Sequence, residues 1–190
     1  NHSSGKMGFS IALEAAKKGA QVKLITGPTS QKISHPFIKR VNVTSAKEML
    51  DACLSNFKYS DITIMTAAVA DYRPKRVASQ KIKKSVKTLN IDLEPTIDIL
   101  KVLGNQKSSE QFICGFALET ENEESNARDK LIKKNLDMVV LNSLKDEGAG
   151  FKYDTNKVSI LDKNNKFHRF ELKNKFEVAQ DIINFIIAQK

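Results

Sequence analysis

Apolar positions along the chain alternate between a helical and a strand-like period, and that alternation outlines the fold before any chemistry enters. Phe9, Ile11, Ala12, Ala15 and Ala16 fit one face of a helix over residues 7–18, with Gly19 placed to end it. A β-rich run at 21–26 is closed by Gly27 and Pro28, and a loop through Pro36 leads to a strand around 41–43. Ser45 then caps a helix reaching about Phe57. Residues 62–67 predict another strand, whereas 70–88 hold no steady period and read as a mobile basic loop. Residues 89–93 alternate like an edge strand, and 96–103 read as a short helix. A strand at 111–117, a charged helix at 123–135 and a buried strand at 137–141 come next. Residues 157–162 and 167–172, joined by Lys163, Asn164, Asn165 and Lys166, predict a hairpin before an amphipathic helix at 176–189.

Strands alternating with helices imply a mostly parallel sheet covered on both faces. The expected fold class is α/β: a Rossmann-like three-layer sandwich with a mostly parallel central sheet, plus a basic flap and a C-terminal hairpin and helix. No repeat, low-complexity tract or Pro-, Gly- or Ser-rich linker divides the 190 residues, so one domain over 1–190 is expected.

Composition narrows the setting. A hydrophobic content of 41% is ordinary for a soluble domain of this size. The two cysteines, Cys53 and Cys114, show no metal-ligand or redox spacing and read as buried reduced thiols. No apolar run approaches the roughly 20 residues that cross a bilayer, so no membrane association and a cytoplasmic location are expected. The formal charge of +9 raises the possibility of nucleic acid, but the lysines are scattered and carry no RNA-binding aromatic motif. Small polyanionic substrates account for the excess as well, and so does plain surface solvation.

Several short motifs could carry chemistry. Ser3-Ser4-Gly5 leading into a helix would offer free backbone N–H groups to a phosphate or carboxylate; the ordinary alternative is an N-cap with a turn glycine. Ala67-Ala68-Val69-Ala70 offers little bulk at a strand end, which suits either ligand approach or tight helix-on-sheet packing. Asp71, just past that strand, must face solvent, a cation or a ligand. Lys81, Lys83 and Lys84 form a basic loop that could be no more than a solvated one. Phe116 could stack on a base or sit in the core, and Lys130 and Lys134 could reach phosphates or decorate an exposed helix. His2, His35 and His168 show no metal spacing.

Taken together, Asn1-His2-Ser3-Ser4-Gly5, the run 67–74, Lys81-Ile82-Lys83-Lys84 and Gly115-Phe116-Ala117-Leu118-Glu119 closely resemble phosphopantothenoylcysteine synthetase, the phosphopantothenate–cysteine ligase of coenzyme A synthesis. The resemblance covers almost the whole chain. It implies a reaction joining 4'-phosphopantothenate to L-cysteine through an acyl-cytidylate, with CTP converted to CMP and pyrophosphate and Mg2+ as cofactor. Asn1 is then a catalytic residue that also binds substrate beside the acyl group, with Ser3, Ser4, Gly5, Ala67 and Ala68. Lys81 becomes the catalytic flap lysine that neutralises the leaving pyrophosphate. Asp71 is assigned to the nucleotide or its magnesium. Ile97, Asp98, Ile99 and Leu100 match a segment beside the nucleotide, where Ile97 replaces the usual proline and leaves the helix start less fixed. Phe116, Lys130 and Lys134 complete the nucleotide set. The resemblance also implies a homodimer, a strand and Gly-rich turn upstream of Asn1, and a decarboxylase with FMN fused or associated upstream.

Two other classes compete. A nicotinamide-binding oxidoreductase fits the Rossmann-like pattern, but the chain has no GxGxxG and the run ending at Thr26-Gly27-Pro28 lacks the ribose-binding acid. A basic nucleic-acid-binding module would show strongly salt-dependent retention. An inactive scaffold is the remaining alternative.

Overall fold

The computed structural model describes residues 3–83, 88–119, 121–143 and 154–190. Asn1, His2 and Lys84 therefore lie outside the described residues. Helix α1 (Lys6–Lys17) is followed by β1 (Val22–Thr26), β2 (Ile38–Asn42) and α2 (Ala46–Phe57). Next come β3 (Ile62–Met65), β4 (Tyr72–Pro74), β5 (Leu93–Pro95) and α3 (Ile99–Gln106). The remaining elements are β6 (Phe112–Glu119), α4 (Glu123–Lys133), β7 (Met138–Ser143), β8 (Thr155–Asn156), β9 (Val158–Asp162), β10 (Phe167–Arg169), β11 (Lys173–Asn174) and α5 (Lys175–Gln189).

The central sheet runs β10-β9-β7-β6-β3. Strands β3, β6 and β7 are parallel, while β9 and β10 add antiparallel at one edge. Strands β1 and β2 form a separate parallel pair. The alternation of side chains along each central strand divides the core in two. Ile113 and Ala117 of β6, Val139 and Leu141 of β7 and Leu161 of β9 pack with α2, α3 and α4. Phe112, Cys114, Met138, Val140, Val158 and Ile160 face the other way, toward α1 and α5. A three-layer α/β sandwich results, as expected.

Local signals placed most elements well, with four corrections. The hairpin expected as an appendage joins the central sheet, where Val158, Ile160 and Leu161 are buried. The region read as an unstructured basic loop contains β4, which pairs antiparallel with β5 through Arg73 and Glu94, the two side chains bonding at 2.9 Å. That pairing also moves the second strand to 93–95 from the expected 89–93, because β4 selects the stretch it can bond. Helix α3 starts at Ile99 instead of 96 and runs on to Gln106.

Two glycines matter for where the helices sit. A Cβ on Gly104 would fall 1.9 Å from the Lys134 carbonyl oxygen, so α3 rests directly on the turn after α4. Asn135, at φ 49°, closes the same contact by donating its Nδ2 to the Gly104 carbonyl at 2.9 Å. A Cβ on Gly8 would stand 2.6 Å from Thr66 Oγ1, so the first turns of α1 lie close against the segment leaving β3.

Candidate functional site

The carboxyl ends of β1, β3 and β6 and the start of α1 open on a common pocket of about 650 Å³. Its size is that of a small-molecule site, and its position outside the strand ends is where open α/β sheets bind ligands. Leu24 to Thr26 line it from β1, Met65 to Ala70 from the end of β3, and Phe116 to Leu118 from β6.

At the α1 entrance, Gly5 is the N-cap at φ 80°, a left-handed conformation suited to glycine, and it has no side chain with which to cap the helix. The Lys6 N–H donates to Ser4 Oγ at 3.4 Å, and the positive end of the helix dipole lies at the pocket. Thr29 Oγ1 donates to the Ser4 carbonyl at 2.8 Å, tying this turn to the loop after β1. Ser3, Ser4 and Gly5 all line the pocket, as do Ala67, Ala68 and Asp71. Asp71 sits at the root of the β4–β5 arm, where its carbonyl accepts from the Thr96 N–H at 2.8 Å. Thr96 Oγ1 donates to the Ala70 carbonyl at 2.5 Å, so the base of the arm is pinned at the rim.

The opposite wall comes from 97–100, Phe116 and α4. Asp98 caps α3, its Oδ1 accepting from the Lys101 N–H at 3.0 Å. Its Oδ2 pairs with Lys134 at 2.7 Å. Burial acts to raise this carboxyl, yet the hydrogen bonds from Lys134 and Lys101 and the charges of Lys134 and Lys130 hold it below its ordinary value. Lys130 Nζ donates to the Phe116 carbonyl at 2.5 Å. Burial lowers the Lys130 ammonium below its ordinary value and the charge of Lys134 adds to that, against the pull of Glu119, Asp98 and Asp71. Both lysines thus stand at the wall already oriented. Ile97, Ile99 and Leu100 line the same wall, Ile97 from an extended segment and the other two from the start of α3. The Asp98 cap fixes where the helix begins, so Ile97 does not leave the start of α3 loose.

Lys81 is placed differently. It lies on the exposed arm and is not among the residues that line the pocket. Asn1 lies outside the described residues. Among those described, no three His, Cys, Asp or Glu side chains form a metal-binding group. Both cysteines are free and buried, and burial raises the Cys53 thiol to about 11 and the Cys114 thiol further still, which suits inert packing. No described helix is long and apolar enough to cross a membrane.

Sequence reasoning did not single out several pocket residues. Lys6, Asn142, Asn156 and Lys175 all line it. Asn142 stands at the carboxyl end of β7, a place the strand-end rule could have flagged; Asn156 and Lys175 arrive only through the tertiary fold.

Comparison with known proteins identifies the family. A cysteine/cysteine sulfinic acid decarboxylase from an unknown prokaryotic organism is 49% identical over 99% of this chain and 52% of its own length. The coenzyme A biosynthesis bifunctional protein CoaBC of Bacillus subtilis (strain 168) is 44% identical over 99% of this chain and 46% of its own. The chain thus spans about half the length of the curated relatives it matches. The crystal structure of the C-terminal domain of coenzyme A biosynthesis bifunctional protein CoaBC superimposes with a TM-score of 0.81 at 40% identity, covering 97% of this chain and 82% of that one. The family described as the DNA/pantothenate metabolism flavoprotein C-terminal domain matches residues 1–189, and the chain belongs to it.

Proposed function

We propose that this domain is a phosphopantothenate–cysteine ligase of coenzyme A biosynthesis that uses CTP. The observation that carries the reading is that one pocket gathers every described candidate residue except Lys81 and Lys83, from segments as far apart as Ser3 and Lys134. The similarity to bifunctional CoaBC proteins supports it.

In this reading a carboxylate oxygen of 4'-phosphopantothenate attacks the α-phosphorus of CTP. The bond to the β-phosphate breaks, and pyrophosphate leaves with the electron pair. The amine of L-cysteine then attacks the acyl carbon; the bond to CMP breaks and the amine proton is lost as the amide forms. Lys130 and Lys134 hold charge at the nucleotide wall, while Phe116 offers a face for the base. The start of α1 meets an anionic group. Lys81 lies on an arm that must swing toward the pocket, or reach the pocket of a partner subunit, to neutralise the leaving pyrophosphate. Asn1 holds the acyl carbonyl against the incoming amine. Magnesium travels with the triphosphate and needs only one or two protein carboxylates, which Asp71 at the rim suits; it offsets phosphate charge when bound.

The assembly proposed is a homodimer. Val77, Ile82, Leu89, Ile91 and Leu93 are all exposed on the arm, an apolar set that a second copy would cover. A strand preceding Asn1 is proposed to lie between β1 and β3, whose carboxyl ends line the same pocket from two separate sheets. A decarboxylase half with FMN is assigned to the remainder of a longer protein, and the location proposed is the cytoplasm.

The test is pyrophosphate release by the full-length protein supplied with 4'-phosphopantothenate and CTP before cysteine is added. Release that depends on both substrates is expected. Its absence, with CTP bound, would sink the ligase reading.

A further inference from the structure

The turn that carries Lys134 is built in an unusual way. Helix α4 passes through Lys134, its C-cap, into Asn135 at φ 49°. The Asn135 N–H donates to the Ile132 carbonyl at 3.2 Å and the Leu136 N–H to the Leu131 carbonyl at 2.9 Å. Those two bonds close the helix in the left-handed turn that glycine ordinarily supplies, since glycine enters it without a steric penalty. Asparagine tolerates the same conformation, and its side chain adds something glycine lacks.

What it adds is a bond to a distant helix. Asn135 Nδ2 donates to the Gly104 carbonyl at 2.9 Å. That carbonyl lies in the last turn of α3, among the four that a helix leaves without an internal partner. Asn135 is exposed, so water could satisfy its amide, yet the amide is turned inward onto α3. Gly104 presses on the same turn, because a Cβ there would overlap the Lys134 carbonyl oxygen.

Lys134 is therefore attached to α3 at both of its ends. Its backbone rests on Gly104 in the last turn of the helix, and its Nζ pairs at 2.7 Å with Asp98, the N-cap of the same helix. A side chain anchored at its base and at its tip keeps little rotamer freedom, so little remains to be lost when an anion arrives. Lys130 on the preceding turn is held differently, by the Phe116 carbonyl.

We propose that Asn135 is a positioning residue: by closing α4 and capping α3 with one side chain, it fixes the point from which Lys134 reaches across the pocket wall, and so sets the affinity for the nucleotide. The choice of nucleotide as the ligand rests on the function proposed above; the clamp on Lys134 does not.

The test compares the full-length protein with Asn135→Gly, which keeps the left-handed turn and removes only the bond to Gly104. Calorimetric titration with CTP and magnesium is expected to show affinity about fivefold weaker, the scale of ordering one long side chain on binding. Affinity for 4'-phosphopantothenate and the melting temperature should stay at the parental values. Trace acetylation read by mass spectrometry should label Lys134 faster in the variant, relative to Lys130 and the exposed Lys47, a selectivity that general loosening of the fold would not produce. In a Lys134→Met background the same substitution should cost no further CTP affinity, because Asn135 acts through Lys134. Parental labelling of Lys134, equal losses for both ligands, or losses that multiply in the double variant overturn the proposal. If the parent takes no CTP, the ligase reading fails while the labelling of Lys134 still decides the clamp. Should Asn135→Gly fail to fold, Asn135→Asp, which keeps the size and removes the donor, is judged by the same outcomes.

Discussion

Lys130 and Lys134 differ from Lys81 in how they are held. The first two stand at the pocket wall with their ammonium groups already engaged, Lys130 on the Phe116 carbonyl and Lys134 on the Asp98 carboxylate. Lys81 lies on an exposed arm, and among the described residues it makes no hydrogen bond or ion pair. A lysine that must bind a ground-state anion gains from being fixed in advance, because less freedom is lost on binding. A lysine that must meet charge appearing only during reaction, and must exclude water when it does, is better placed on an element that closes. On the function proposed above, the contrast separates a prebuilt nucleotide wall from a recruited catalytic group.

The largest expected effect bears on the recruited side. Lys81→Ala should slow pyrophosphate formation by on the order of 100- to 1,000-fold, the usual cost of losing one group that stabilises transition-state charge. Thermal stability should stay at the parental value, since the side chain is exposed. A variant that forms acyl-cytidylate at the parental rate would place the arm outside the chemistry.

Gly104→Ala tests the wall itself. Its Cβ would meet a backbone carbonyl 1.9 Å away, and no side-chain rotation can relieve that. A loss of about 3 kcal/mol in denaturant unfolding is expected, at the upper end for overpacking. Nucleotide affinity should fall with it, because the displaced turn carries Lys134. Parental stability would show that α3 does not fix the turn.

A smaller effect is expected at the cap. Asp98→Ala should cost about 1 kcal/mol of stability, the typical value of an N-cap side chain. It should also free Lys134 and weaken CTP binding measurably by calorimetry. Stability loss without any change in CTP affinity would detach the Asp98–Lys134 pair from the ligand.

The pH dependence of the same residue is the finest probe. Asp98 is held below its ordinary value in the folded protein, so the unfolded chain binds its proton first as pH falls. Its contribution is complete above the ordinary carboxylate range near pH 4 and disappears as pH drops through the lower folded value. The stability difference between parent and Asp98→Asn should therefore shrink on acidification and be flat from pH 5 to 7. A difference that widens toward low pH would reverse the assigned sign.

Much of this was legible locally. The helical face of α1, the Ser45 cap accepting from the Glu48 N–H at 3.2 Å and the pairing of Phe167 with Leu161 depend on residues close in sequence, where period and capping chemistry are written directly. The motifs Ser3-Ser4-Gly5, 67–71 and Lys130 with Lys134 were also readable, because each holds residue types whose chemistry suits a phosphate. What the sequence could not settle by itself was which alternative each would follow, since a capped helix, a packed alanine turn and a solvated basic helix have the same local pattern.

The tertiary structure brought these motifs to one pocket through contacts between distant segments. Asp98 meets Lys134, Gly104 meets the Lys134 carbonyl, Asn142 meets Asn156 and Lys175 lines a pocket begun by Ser3. The same holds for the hairpin, whose apolar alternation looked alike for an appendage and for a core strand until β7 paired with β9. The sequence by itself determined which residues could form each element and which had the chemistry to meet a phosphate, because propensity, capping and side-chain charge are local properties. Only the tertiary structure decided that these groups share one pocket, because burial and hydrogen-bond pairing depend on which distant segments the close-packed core brings together.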